Sequence, residues 1–280
     1  MHTYKYILLY LLLISNIFSE NVFSYFNSDI DNFYKKQNGE KFVYILFVGG
    51  VMANSSIDQS IRDFYQNELR NDITDNQSKI TKLFGEGDIM IPLMFALDGI
   101  GSILKNKELK DMGTNTLRAY LLGAPSMLLM QKITGGSRPN EIKKASHWKF
   151  FKDENGVSGH AFMGSIPFFV LSKMNKNNYL GEFFQGMSVA TAISRINDDA
   201  HYPSQALLGW YMGKLTVDSI FEYNLSDKKN AKEVALSLTG NFLGFYFLQN
   251  ISYKLWDNNK IFILPVLDND KYGLLFSKQF

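Results

Sequence analysis

The chain has no cysteine in its 280 residues. That absence removes disulfides, thiol nucleophiles, iron–sulfur clusters and cysteine-ligated zinc together. An excess of charge is also lacking: 29 Lys and Arg face 27 Asp and Glu, a formal net of +2. A protein that works on phosphate backbones carries a larger basic excess, so no nucleic-acid partner is expected. Long unbroken apolar runs are scarce as well. The stretches 89–104, 120–130, 161–172 and 183–194 fall short of the ~20 residues that span a bilayer, and Asp98 interrupts the first. Segment 234–253 is long enough but contains Ser237, Thr239, Asn241, Gln249, Asn250 and Ser252. With a mean hydropathy of −0.12, these stretches read as buried core helices, leaving room only for peripheral membrane contact.

What is present suffices for a core, since 46% of residues are apolar and 15% aromatic. No Pro/Ser-rich linker divides the chain, so one domain is expected. At the amino terminus, 2–5 form a basic n-region and 6–14 an apolar h-region, with Ile17 and Ser19 as a cleavage pair. The expected organisation is a signal peptide at 1–19 and a single domain at 20–280, exported to the periplasm or outer envelope. The alternative is an uncleaved N-terminal anchor.

Periodicity is mostly helical. In 57–69, Ile57, Ile61, Phe64, Tyr65 and Leu69 make one apolar stripe, with Asp58, Arg62, Asp63 and Glu68 on the rest of the wheel. A helix over 117–133 is stopped by Gly135 and Gly136, then by Pro139. Ser158 is a credible N-cap for a helix to about Lys173, and 180–194 reads as another. A further helix starts at Tyr202, with Pro203 in its first turn, and runs to about Tyr223. At the carboxyl end, 261–267 and 272–280 are β-prone and separated by Asp268, Asn269 and Asp270, the pattern of a hairpin.

Chemistry-bearing residues gather at helix ends. Arg138 follows a double glycine in Gly135-Gly136-Ser137-Arg138-Pro139; His160 sits at a helix start in Val157-Ser158-Gly159-His160. Arg195 and His201 flank a helix junction in the run from Ser194 to His201. Guanidinium forks bind tetrahedral oxyanions bidentately, and free helix-start N–H groups take the remaining oxygens. One neutral histidine can attack phosphorus while a protonated one releases the alcohol.

The ordered set Gly-Gly-Ser-Arg-Pro, Ser-Gly-His and Ser-Arg-x5-His, within 131–205, resembles the signature of the type 2 phosphatidic acid phosphatases. That group includes bacterial class A acid phosphatases and shares its architecture with vanadium haloperoxidases. The resemblance implies an all-α helical bundle, here with a short C-terminal β-hairpin at about 261–280. It implies His201 as the nucleophile that becomes phosphohistidine and His160 as general acid, then base. Arg138, Arg195, Ser158 and the Gly159 N–H would hold phosphate oxygens. No metal or cofactor is implied, and phosphate or vanadate would be the ligand of the site. Two departures bear on chemistry. The family's lysine falls on Gln131, with Lys132 one step round the helix, and both are candidate phosphate ligands. Its orienting aspartate falls on Gln205, which keeps a hydrogen-bond acceptor but no charge, so Gln205→Asp is expected to raise turnover. Asp198 and Asp199 read as solvated loop carboxylates and His147 as structural.

The expected function is hydrolysis of phosphate monoesters, of a lipid or a small soluble molecule, through phosphohistidine. The alternatives are a catalytically weak phosphate-binding envelope protein and, further off, a haloperoxidase with His201 on vanadate.

Overall fold

The structure, a computed structural model, describes residues 25–141, 146–176 and 178–221, together with the strand backbones 261–268 and 271–278. The expected signal peptide and the segment 234–253 lie outside the described residues. Helices and their connecting segments make up the described residues between 25 and 221: α1 Phe26–Phe33, α2 Lys36–Ala53, α3 Ile57–Phe64, α4 Asp72–Thr81, α5 Gly87–Ile103 and α6 Lys107–Thr134, then α7 Gly159–Met174, α8 Tyr179–Met187, α9 Ala190–Asn197 and α10 Pro203–Ile220. A π turn, Tyr65–Leu69, continues α3, and a 3₁₀ turn, Lys82–Gly85, joins α4 to α5. The all-α bundle is the fold class expected.

Local chemistry sets the helix ends. Asn71 and Thr74 form a capping box at α4, Asn106 caps α6 through Leu109 N, and Ser158 caps α7 through Ala161 N. Gly135 ends α6 in the left-handed region at φ 56°. A Cβ there would also stand 2.0 Å from the Lys149 carbonyl oxygen, so only glycine fits.

The centre of the bundle is α7, packed by α6, α8, α9, α10 and the 3₁₀ turn. Phe162, Ile166 and Val170 are fully buried at i, i+4 and i+8 on it. Small residues bring its neighbours close: a Cβ on Gly213 of α10 would fall 2.2 Å from Ser165 Oγ, and one on Gly164 2.2 Å from Thr191 Oγ1.

Two expectations change. Residues 57–69 are helical, but Ile57, Ile61, Phe64 and Leu69 are exposed while Asp58 is wholly buried. Polar partners decide the side: Asp58 binds Ser146 and Ser204, and Arg62 pairs with Asp199. The stretch 180–194 is two helices rather than one. At the break, Ser188 Oγ donates to Gln185 O and accepts from Trp210 Nε1 at 2.9 Å.

The strands Ile261–Asp268 and Lys271–Lys278 pair antiparallel, with Ile261 opposite Lys278 and Asp268 opposite Lys271. Among the described residues, no helix is long and apolar enough to cross a membrane.

Candidate active site

Two connections meet at the amino-terminal ends of α7 and α10, the one between α6 and α7 and the one between α9 and α10. After α6, Ser137 N donates to Ser146 O at 2.9 Å. Arg138 is held by its neighbours: Nε donates to Asn155 Oδ1 at 2.7 Å and its backbone N–H to Glu141 Oε2. The junction between α9 and α10 turns sharply, with Ala200 N and His201 N both donating to Arg195 O. Asp199 takes φ 53° in that turn. Ser158 N donates to Gln205 O at 3.0 Å, which ties the start of α7 to the start of α10.

Gln205 fixes His201. Its Oε1 lies 3.0 Å from His201 Nδ1 and accepts from Tyr202 N at 3.1 Å. Its Nε2 donates to the Ser137 carbonyl at 2.8 Å. A backbone N–H demands an acceptor on one side and a carbonyl a donor on the other, so the amide has one orientation only. With oxygen facing Nδ1, the imidazole carries its proton there and its lone pair on Nε2. Burial, with Arg138, Arg195 and His160 nearby, lowers the His201 pKa to about 3, although the Gln205 hydrogen bond opposes the shift. His201 is therefore a neutral imidazole of fixed tautomer.

The cationic side is formed by Arg138 and Arg195. Arg195 Nε is buried and has no hydrogen-bond partner among the described residues. Its nearest anion is Asp198, 3.7 Å from a terminal nitrogen. An orphaned buried guanidinium donor is costly unless an anion completes it. Ser158 is buried at the α7 N-cap, and the N–H groups of Gly159 and His160 open the helix behind it, where the dipole favours negative charge. His160 Nε2 lies 3.3 Å from Glu86 Oε1. The His160 pKa is also lowered, first by burial and then by Arg195, with Glu86 working the other way.

Gln131 Nε2 donates to Val157 O at 2.9 Å, bracing the loop that delivers Ser158. Lys132, weighed as a phosphate ligand, is placed elsewhere: its side chain is 60% exposed and stands 3.6 Å from Glu154. One step around a helix turns a side chain about 100° away, which separates it from Gln131. Asp198 and Asp199 are not solvated loop carboxylates. Asp198 accepts from Ser78 Oγ, and Asp199 takes both Nε and a terminal nitrogen of Arg62. His147 is exposed at φ 32° and its N–H donates to Ala53 O.

Three residues that the sequence motifs do not single out support the cluster. Asn155 orients Arg138. Asp58 accepts from Ser204 N at 2.8 Å, Ser204 Oγ at 2.6 Å and Ser146 Oγ at 2.8 Å, clamping the Arg138 loop to the start of α10. Glu86 contacts His160. Neither Asp58, which the apolar stripe placed on the polar side of its helix, nor Glu86 carried a signal in the sequence. Among the described residues no group of three or more His, Asp and Glu is arranged to hold a metal ion. The donors present suit a tetrahedral oxyanion, phosphate and vanadate alike.

Residues 113–225 match the family described as the PAP2 superfamily. That span contains all three motifs, while Asp58 and Glu86 precede it. No curated protein matches the chain, and no solved structure does.

Proposed function

We propose, from the match of residues 113–225 to the PAP2 superfamily, that this chain is a metal-independent phosphatase of phosphate monoesters acting through phosphohistidine on His201. Phosphatase-type chemistry is what the superfamily supports; monoester specificity and the covalent intermediate are the finer reading. The observation that carries it is the neutral, single-tautomer His201 beside two arginines, one with a buried unused donor.

In the first step the His201 Nε2 lone pair attacks phosphorus, and the bond from phosphorus to the ester oxygen breaks. His160, protonated, gives its proton to the departing alkoxide. Arg138, Arg195 and the N–H groups at the start of α7 hold the charge on the non-bridging oxygens. In the second step neutral His160 takes a proton from water, the oxygen attacks phosphorus, and the P–N bond breaks. Phosphate leaves and both imidazoles return to their starting states.

A lipid phosphate is favoured as substrate by an exposed apolar row on α5, Ile89, Leu93, Ile100 and Ile103. It begins three residues after Glu86, beside the site. Soluble proteins seldom expose such continuous rows without a use for them. Work outside the cytoplasm, in the periplasm or outer envelope, rests on the reading of 1–19 as an export signal.

The test is hydrolysis of a chromogenic phosphomonoester across pH 4 to 8, with and without EDTA, beside His201→Ala. Turnover that survives EDTA and is lost in the variant is expected. A folded protein that binds vanadate without turnover would instead favour the phosphate-binding reading, to which the uncharged Gln205 and Gln131 lend support.

A further inference from the structure

Glu86 stands outside the matched segment yet touches its second motif. The turn that carries it is fixed on three sides. Gly85 lies so close to α7 that a Cβ would fall 2.8 Å from both His160 Cβ and the His160 carbonyl oxygen. Phe84 meets Phe168 edge-on at 4.9 Å between ring centroids. Thr191 Oγ1 of α9 donates to Thr81 O at 2.9 Å. Glu86 then opens α5, its carbonyl accepting from Ile89 N and Met90 N. Its carboxylate is delivered to His160 Nε2 by packed backbone rather than by a free surface side chain.

We propose that Glu86 is the positioning residue for the general acid, holding the His160 imidazole and supporting its protonated state through their 3.3 Å contact. The inference rests on the phosphatase reading above. His160 faces two cations, Arg195 from α9 and Arg138 from the loop after α6, and the neutral His201 ring comes from the junction before α10. Desolvation and both arginines oppose a second positive charge there. A general acid must nevertheless carry its proton when substrate arrives. Glu86 supplies the opposing anion, and Asp198, the next carboxylate in the cluster, is turned to Ser78 and Arg195 instead.

The role has a signature that a merely structural one lacks. Protonation of the leaving group matters little for a nitrophenol ester and a great deal for an alkyl ester. In Glu86→Gln, kcat/KM for an alkyl phosphomonoester should fall roughly tenfold more than for nitrophenyl phosphate, a fraction of what general acids contribute. The alkaline limb of the pH profile should move to lower pH. Glu86→Asp should recover part of both. In a His160→Ala background, Glu86→Gln should no longer change the ratio between the two esters.

The experiment pairs these assays on the full chain with an NMR titration of His160 in the free protein. A lower His160 pKa in Glu86→Gln together with the selective loss on the alkyl ester supports the proposal. Equal losses on both esters, or an unmoved His160 titration, overturn it. Wild-type protein that hydrolyses neither ester would overturn the phosphatase reading, and the NMR titration would then decide the Glu86–His160 coupling alone.

Discussion

Gln205 Nε2 stands 2.8 Å from the carbonyl oxygen of Ser137, so the amide that orients His201 is also the strut between the arginine loop and α10. A carboxylate at this position would meet that carbonyl with a second acceptor. In Gln205→Glu, which keeps the reach, the His201 pKa should rise from about 3, because an anion favours the imidazolium. The fully buried site should lose stability by about 1–3 kcal/mol, the cost of leaving the Ser137 oxygen unpaired. The turnover gain expected of Gln205→Asp is therefore opposed by a stability loss. NMR titration and thermal melts separate the two effects.

Asp58 makes a second prediction. Burial raises its pKa, and the hydrogen bonds from Ser204 and Ser146 only partly offset this. The sign follows: for a raised carboxyl, stability is greatest with the acid protonated and declines as pH rises through its folded pKa. Asp58→Asn should therefore melt no lower than wild type at pH 7, since both serine hydroxyls can turn to accept. Asp58→Ala should lose about 1–3 kcal/mol for each polar partner left buried and unpaired, and turnover should fall with it as the Arg138 loop loosens.

The pH profile of kcat/KM should have its optimum on the acid side. His201 must be neutral, which holds above about pH 3. His160 must be protonated, and its pKa lies below the ordinary 6.5, so activity should fall as pH rises through that value. An alkaline limb above pH 6.5 would contradict the assignment of His160 as acid. Stability should run the other way. A buried histidine with a lowered pKa resists charging, so its contribution is complete above 6.5 and is lost as pH falls toward 3, by about 5 kcal/mol at most. Melts from pH 7 to 4 check this.

The buried pair of Arg118 and Asp29 joins α6 to α1, Nε at 2.9 Å and a terminal nitrogen at 2.6 Å from the two carboxylate oxygens. Arg118→Met leaves Asp29 charged and enclosed, so a loss of about 3–5 kcal/mol is expected in denaturant unfolding. Turnover of the fraction that remains folded should be unchanged, because the pair is remote from the clustered loops.

If the row on α5 serves a lipid phosphate, Ile89→Gln with Leu93→Gln should lower hydrolysis of phosphatidic acid in vesicles several-fold. Hydrolysis of a soluble nitrophenyl ester should stay constant. Equal rates on vesicles in variant and wild type would remove the lipid preference.

The sequence by itself determined the helix ends at Ser158 and Gly135 and the residue types of the candidate site, because both are local. Ser158 before a helix and glycine at 135 after one cap backbone groups wherever such residues fall. Arg138, Ser158, His160, Arg195 and His201 name the proposed oxyanion site by type and order. Even the tautomer of His201 was foreshadowed, since Gln205 follows it by one helical turn. Only the tertiary structure decided which side of α3 is covered, because Asp58 and Ser204 meet across 146 residues of chain and outweigh the apolar stripe. It also fixed the Gln205 amide through the Ser137 carbonyl, and turned Lys132 to Glu154. Glu86 reached His160 by the same means: a glycine turn packed on α7 brings together groups that no spacing along the chain relates.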